Sequence, residues 1–175
     1  MKTITKQYNL YSFDELSQKA KDRAREKFNE SEEFYFLEDN LREYIYEELK
    51  DRDIKVIEIS TSKNPSIKPF YSLSYCHGDG LMFEATLEDK NGNTYIIKHS
   101  GYYYHERSTN IIGTDKNGEE IDTKDFEEQI YIPICKKVRD CGYNEIEYKQ
   151  SEECFKETCE ANEYTFLEDG TMFNN

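Results

Sequence analysis

Residues 70–87, FYSLSYCHGDGLMFEATL, alternate apolar and polar side chains on both sides of Gly78-Asp79-Gly80. A period of two sends successive side chains to opposite faces of an extended chain. Two such runs around a glycine-flanked aspartate read as strand, turn and antiparallel strand, with the glycines supplying positive φ. The centre of the chain is thereby committed to a sheet, and the remaining segments must cover it.

Before this stretch, residues 3–11 alternate loosely and read as a first strand. Ser12-Phe13-Asp14-Glu15 has the form of a capping box. The helix after it carries Leu16, Ala20, Ala24 and Phe28 as one apolar stripe, with Ser17 as a second cap. Ser31 is placed to cap a second helix with Phe34, Leu37, Leu41, Ile45 and Leu49 inward. Residues 54–59 read as a strand and residues 60–69 as a loop. After the central stretch, Asn91-Gly92 and Asn117-Gly118 each sit between strand-like runs and suit type I′ hairpins. Residues 101–107 read as a further strand.

A third helix, capped by Asp122 or Thr123, carries Phe126, Ile130, Ile134, Val138 and Cys141, with a kink or break at Pro133 and a stop at Gly142. Residues 144–161 read as a fourth helical segment, interrupted near Lys149-Gln150-Ser151, and residues 163–173 as a terminal hairpin. The expectation is one α+β domain over residues 1–175. It has a central antiparallel sheet of about four to six strands. Helices before and after it pack on one face, and a short C-terminal hairpin follows.

Charge narrows the partners. The chain carries 37 acidic and 23 basic residues, a formal net charge of −14. General electrostatics then disfavour direct nucleic-acid or anionic-membrane binding and favour basic protein surfaces. The acid is concentrated. Residues 30–48 hold eight carboxylates and one arginine, and residues 145–169 nine carboxylates and two lysines. Each stretch nets −7, so the two together equal the whole imbalance. Such runs are either solvated helix faces or a patterned anionic surface, because carboxylates one turn apart lie about 5–6 Å from each other.

The five cysteines, Cys76, Cys135, Cys141, Cys154 and Cys159, are odd in number and lack C-x-x-C spacing. With a polar N-terminal stretch and no run of about 18 apolar residues, they read as reduced thiols of a cytoplasmic protein.

No catalytic motif stands out. Cys76, His77, Asp79, His99, His105 and Glu106 cluster in sequence, but Cys76 and His77 would point to opposite faces of a strand, and no metal is expected. Gly78-Asp79-Gly80 lacks the helix and lysine of a phosphate loop, so no cofactor is expected either. Asp79 remains as an isolated general-base candidate. Tyr102, Tyr103 and Tyr104, with two of the three turned outward, suit a protein-binding surface better than a base-stacking platform, which would need a basic groove.

Three motifs carry a resemblance: FDELSQKAKDRA, HGDGLMF and EANEYTFLEDG. They resemble a family of small uncharacterised proteins encoded by bacteriophages and prophages, whose corresponding patterns are F-D-E-L-S-x-x-A-K-x-x-A, Q-G-D-G-x-x-F and E-A-N-E-Y-x-F-x-x-D-G. The match spreads over nearly the whole chain; His77 stands where that family usually has Gln. The resemblance implies a mobile-element accessory protein acting in the bacterial host cytoplasm. It implies an inhibitor of a host defence nuclease, of anti-CRISPR or anti-restriction type, rather than an enzyme. Its contact residues would be Glu32, Glu33, Glu43, Glu47, Glu152, Glu153, Glu157 and Glu160 on the acidic faces, with Tyr102, Tyr103 and Tyr104 as anchors. An antitoxin-like or regulatory binding module, and a small hydrolase centred on Asp79 and the histidines, are the alternatives.

Overall fold

A computed structural model describes residues 1–30, 34, 36–57 and 66–173. The chain is α+β and divides into two compact units, residues 35–144 and residues 1–34 with 145–175.

The first unit holds the sheet: β1 (Lys55–Val56), β2 (Lys68–Ser72), β3 (Gly80–Glu88), β4 (Thr94–His99), β5 (Thr109–Thr114) and β6 (Glu120–Ile121). All pairings are antiparallel, and β3 is the hub. Its first half pairs with β2, from Lys68 opposite Glu84 to Ser72 opposite Gly80. Its second half pairs with β1 and β4, with Leu87 opposite both Val56 and Tyr95. On β4, Tyr95 and Ile97 are buried while Ile96 faces outward opposite the exposed Ile112 of β5. One face of this half of the sheet is therefore covered and the other open.

The cover is helical. α2 (Leu37–Lys50) buries Leu37, Leu41, Ile45 and Leu49, as their spacing predicts, and packs on β1 and β2. A continuous helical run then passes through α3 (Lys124–Phe126), a π-helical turn at Glu127–Tyr131, and α4 (Ile132–Gln150). Asp122 accepts from the Lys124 amide at its start. Phe126 stacks on Tyr95 at 3.7 Å, and Tyr131 packs on Phe83 at 4.9 Å.

Several elements differ from what the sequence pattern predicts. Pro133 neither breaks nor ends the helix. The strain is absorbed one turn earlier, where the Ile132 amide reaches back five residues to the Glu127 carbonyl. That extra residue shifts the phase, so Tyr131 enters the core and Ile130 is only half-buried. Gly142 is not a stop but lies inside α4. A Cβ there would come 2.6 Å from Leu73 Cδ1 and 3.0 Å from Leu41 Cδ2, so the glycine serves close packing against α2. Residues 101–107 form no strand; they are the connection between β4 and β5.

Both Asn-Gly loops do form hairpins, but only Gly92 and Gly118 have positive φ, so neither is a type I′ turn. In each, the aspartate three residues before the glycine takes over. Asp89 Oδ1 accepts from Asn91 and Asn93, and Asp115 Oδ1 from Asn117 and Glu119.

The second unit packs Phe13, Leu16, Ala20 and Ala24 against Phe155, Cys159 and Phe166. The Ser12–Glu15 box is made, with the Glu15 carboxylate accepting from the Ser12 amide at 2.8 Å and from the Ser12 hydroxyl at 2.9 Å, but it closes only a 3₁₀ turn, Phe13–Glu15. Ser17 caps α1 (Gln18–Asn29) and Ser151 caps α5 (Glu152–Ala161). The expected first strand over residues 3–11 reduces to one bridge, Tyr11 opposite Phe166. The alternation there finds no ladder to join, because Phe166 is already shared with Met172 in the terminal hairpin. The anticipated Ser31 cap, the end of the 54–59 strand and most of the 60–69 loop fall outside the described residues.

Among the described residues, no helix is long and apolar enough to cross a membrane.

One buried hydroxyl holds the sheet unit together. The β3–β4 ladder stops at Ala85, although its register would bring His99 opposite Phe83. The His99 amide turns instead to the Glu84 carboxylate at 3.0 Å. The Tyr131 hydroxyl takes the vacated place. It accepts from the Phe83 amide and donates to the Phe83 carbonyl, both at 3.0 Å. Tyr131→Phe strands both buried groups, each costing about 1–3 kcal/mol. A loss of about 2–4 kcal/mol in urea unfolding is expected; a loss under about 1 kcal/mol would mean that Phe83 finds other partners.

Candidate functional site

The stretch around Gly78-Asp79-Gly80 is built on a carboxylate, not on glycine freedom. Neither glycine has positive φ; the left-handed residue is Tyr75, at φ 59. Gly80 is required for another reason, since a Cβ there would lie 2.6 Å from the Tyr104 carbonyl oxygen.

Asp79 gathers five donors. Ser72 and Ser74 hydroxyls reach Oδ1 at 3.0 and 3.2 Å, and the Cys76 thiol does so at 3.2 Å. The Cys76 amide reaches Oδ2 at 3.1 Å and the Tyr143 hydroxyl at 2.6 Å. The Tyr143 hydrogen bond, aided by those from Cys76 and Ser74, holds the Asp79 carboxyl far below its ordinary value of 3.8. Burial and the same bond push the Tyr143 phenol up to about 12. A carboxylate so satisfied is a poor base, and its role is to close the loop. Ser72, Ser74 and Tyr143 were not singled out in the sequence, and Tyr143, 64 residues away, leaves no local signal.

The loop over residues 101–108 faces this turn. Tyr104 is held by Phe70 and His99, at 5.7 and 5.6 Å between rings, while Tyr102 and Tyr103 stand 98 % and 68 % exposed. All three tyrosines are thus exposed, Tyr104 least at 40 %, and they stand on a loop rather than a strand. Glu106 is buried, with Oε2 3.3 Å from His105 Nδ1. Between the two segments lies a pocket of about 480 Å³ lined by His77, Gly78, Tyr103, His105, Arg107 and Ser108.

The predicted acidic contacts separate by unit. Glu32 and Glu33 lie outside the described residues. Glu43 and Glu47 are exposed on α2 and border a groove of about 900 Å³ that also holds Asp53, Lys50, Lys55 and Lys90. Much of the other α2 acid is compensated. Arg42 pairs with Glu38 and Asp39. Glu48 is buried against Arg52 and Lys137; burial pushes its carboxyl up, but those hydrogen bonds leave it below its ordinary value.

On α5 the balance differs. Glu153, Glu157 and Glu160 are exposed at spacings of four and three, opposite the buried Phe155 and Cys159. Glu157 accepts from the Tyr148 hydroxyl at 3.0 Å, and Glu160 is 3.9 Å from Lys156. Glu152 is half-buried, 3.8 Å from Arg25.

The buried thiols are poor nucleophiles. Burial raises Cys159 to about 11 and pushes Cys135 up further. Among the described residues, no group of three His, Cys, Asp or Glu is arranged to hold a metal ion.

Comparison with protein-family models, curated proteins and solved structures found no match for this chain.

The Asp79 network has a pH signature. Its folded-state pKa is depressed, so its stabilisation is complete well above 3.8 and drains away as the pH falls below that value. Asp79→Asn lacks this contribution. It is expected to melt below the parent protein at neutral pH, with the gap narrowing below about pH 4. A gap that is constant across an acid titration followed by circular dichroism would contradict the network.

Proposed function

We propose that this chain is a mobile-element protein that binds the basic, nucleic-acid-binding surface of a host defence nuclease. In that role it is an inhibitor of anti-CRISPR or anti-restriction type. The observation that carries the reading is the row Glu153, Glu157 and Glu160, exposed along one face of α5 in a chain of net charge −14. Carboxylates one turn apart, about 5–6 Å, approach the spacing of successive backbone phosphates, which is what a basic groove is shaped to receive.

The α5 row supports this better than α2 does. On α2, Glu38, Asp39 and Glu48 are met by Arg42, Arg52 and Lys137, and the groove mixes three carboxylates with three lysines, whereas along the α5 row Lys156 stands 3.9 Å from Glu160. A phage or prophage origin, and action inside the host cell, rest on the resemblance of the FDELS, GDG and EANEYTF motifs.

A second reading is an antitoxin-like or regulatory module whose partner need not be basic. The exposed rings of Tyr102 and Tyr103 favour it, since exposed tyrosine is typical of protein interfaces. A hydrolase centred on Asp79 draws no support from a carboxylate whose oxygens are already engaged by five donors.

The test is competition between this protein and a labelled duplex for purified CRISPR effector and restriction nucleases. The parent protein is expected to displace the duplex at low salt and to lose potency as salt rises. The triple variant E153K/E157K/E160K is expected to lose at least about tenfold in potency, and E43K/E47K less. Displacement that ignores both salt and the α5 reversal would sink the mechanism.

A further inference from the structure

The pocket between the Cys76–Gly80 turn and the 101–108 loop differs in charge from the grooves beside α2 and α5. The groove beside α2 sets Glu43, Glu47 and Asp53 against Lys50, Lys55 and Lys90, and the cleft beside α5 sets Asp14, Glu160 and Glu163 against Lys156. This pocket has no carboxylate in its lining; Arg107, His77, His105 and Ser108 line it with Gly78 and Tyr103. Two of the chain's three histidines are spent there. In a chain this acidic, a concave site lined by nitrogen donors is selective for an anion, and at physiological salt charges more than about 8 Å away are largely screened.

Both walls are fixed before any ligand arrives. The turn is pinned through Asp79 by its five donors. The loop is closed by Ser100 donating to the Ser108 carbonyl and Ser108 to the His105 carbonyl, each at 2.8 Å. It also presses the Tyr104 carbonyl onto Gly80. Two carboxylates flank the walls: Asp79 is engaged by its five donors, and Glu106 is buried, with Oε2 3.3 Å from His105 Nδ1. The Arg107 amide donates to His105 Nδ1 at 3.3 Å, which leaves Nε2 as the ring nitrogen available to a ligand.

Arg107 supplies a planar fork of donors suited to a phosphate, and Tyr103, largely exposed at the rim, supplies a flat surface for a ring. The volume falls within the roughly 300–1,000 Å³ of small-ligand sites. We propose that this pocket binds a phosphate monoester carried on a planar ring, the chemistry of a mononucleotide. Arg107, His77, His105 and Ser108 hold the phosphate and Tyr103 stacks on the ring. The site is independent of the acidic face of α5.

The experiment is calorimetric titration of the full chain with adenosine monophosphate, adenosine and inorganic phosphate, repeated on R107Q and K98Q. Lys98 is exposed on β4 outside the pocket, so K98Q removes the same charge elsewhere. The expected result is saturable binding of the monophosphate at one site per chain, weaker binding of phosphate alone, and weakest binding of the nucleoside. R107Q is expected to lower affinity about tenfold or more, with K98Q near the parent. A second readout needs no variant: the imidazole proton resonances of His77 and His105 shift on adding the monophosphate, and those of His99 shift less. The inference is overturned by a monophosphate that binds no better than adenosine. Equal effects of R107Q and K98Q, or unmoved His77 and His105 signals, would overturn it too.

Discussion

The sheet unit depends on how β3 satisfies its backbone where its ladder with β4 ends. At Phe83 the strand is fully buried, and its amide and carbonyl have no strand partner on that side. Orphaned groups of this kind are expensive in a core. The Tyr131 hydroxyl repairs both, and it is in position because a π-turn adds one residue before Pro133. The end of the ladder at Ala85 in turn leaves room for the 101–108 loop to cross the start of β3 at Gly80. The site region is thus a product of the interrupted pairing: the loop, the Asp79 turn and the pocket between them all occupy the place where a longer β4–β5 hairpin would have run.

The parts of the fold that follow from local chemistry were legible in the sequence. The apolar stripe from Leu37 to Leu49, the Ser12–Glu15 box, the Ser151 interruption and the hairpin positions all rest on contacts within a few residues. What was misread rests on distant partners. Gly142 looks like a helix stop until Leu41 and Leu73 are seen against it. Gly80 looks like a turn residue until the Tyr104 carbonyl arrives. Residues 101–107 have the composition of a strand, but all three tyrosines are exposed, and Tyr104 also packs on Phe70. The phase error at Ile130 arose because a spacing-four stripe assumes an uninterrupted α-helix, and the π-turn breaks that assumption.

The same distinction governs the site. The position of Glu153, Glu157 and Glu160 on one helix face could be read from spacing alone. The neutralisation of α2 acid by Lys137, and the engagement of Asp79 by Tyr143, could not, because both partners come from the other end of the sheet unit's sequence. Charge counted along the chain weighs the two acidic stretches equally, and both are partly paired: Glu38, Asp39 and Glu48 meet Arg42, Arg52 and Lys137, and Glu152, Glu160 and Asp169 meet Arg25, Lys156 and Arg23. Glu43 and Glu47 on α2 and Glu153, Glu157 and Glu160 on α5 are exposed. The proposed meeting place for a basic partner is the α5 row.

That claim meets its most direct test in affinity capture from a bacterial host lysate, read by mass spectrometry across a salt gradient. The account predicts retention at low salt of a basic, nucleic-acid-binding protein that is released as salt rises and is absent when the α5 carboxylates are reversed. Stable capture of a neutral or acidic partner, unmoved by salt and by the reversal, would contradict it.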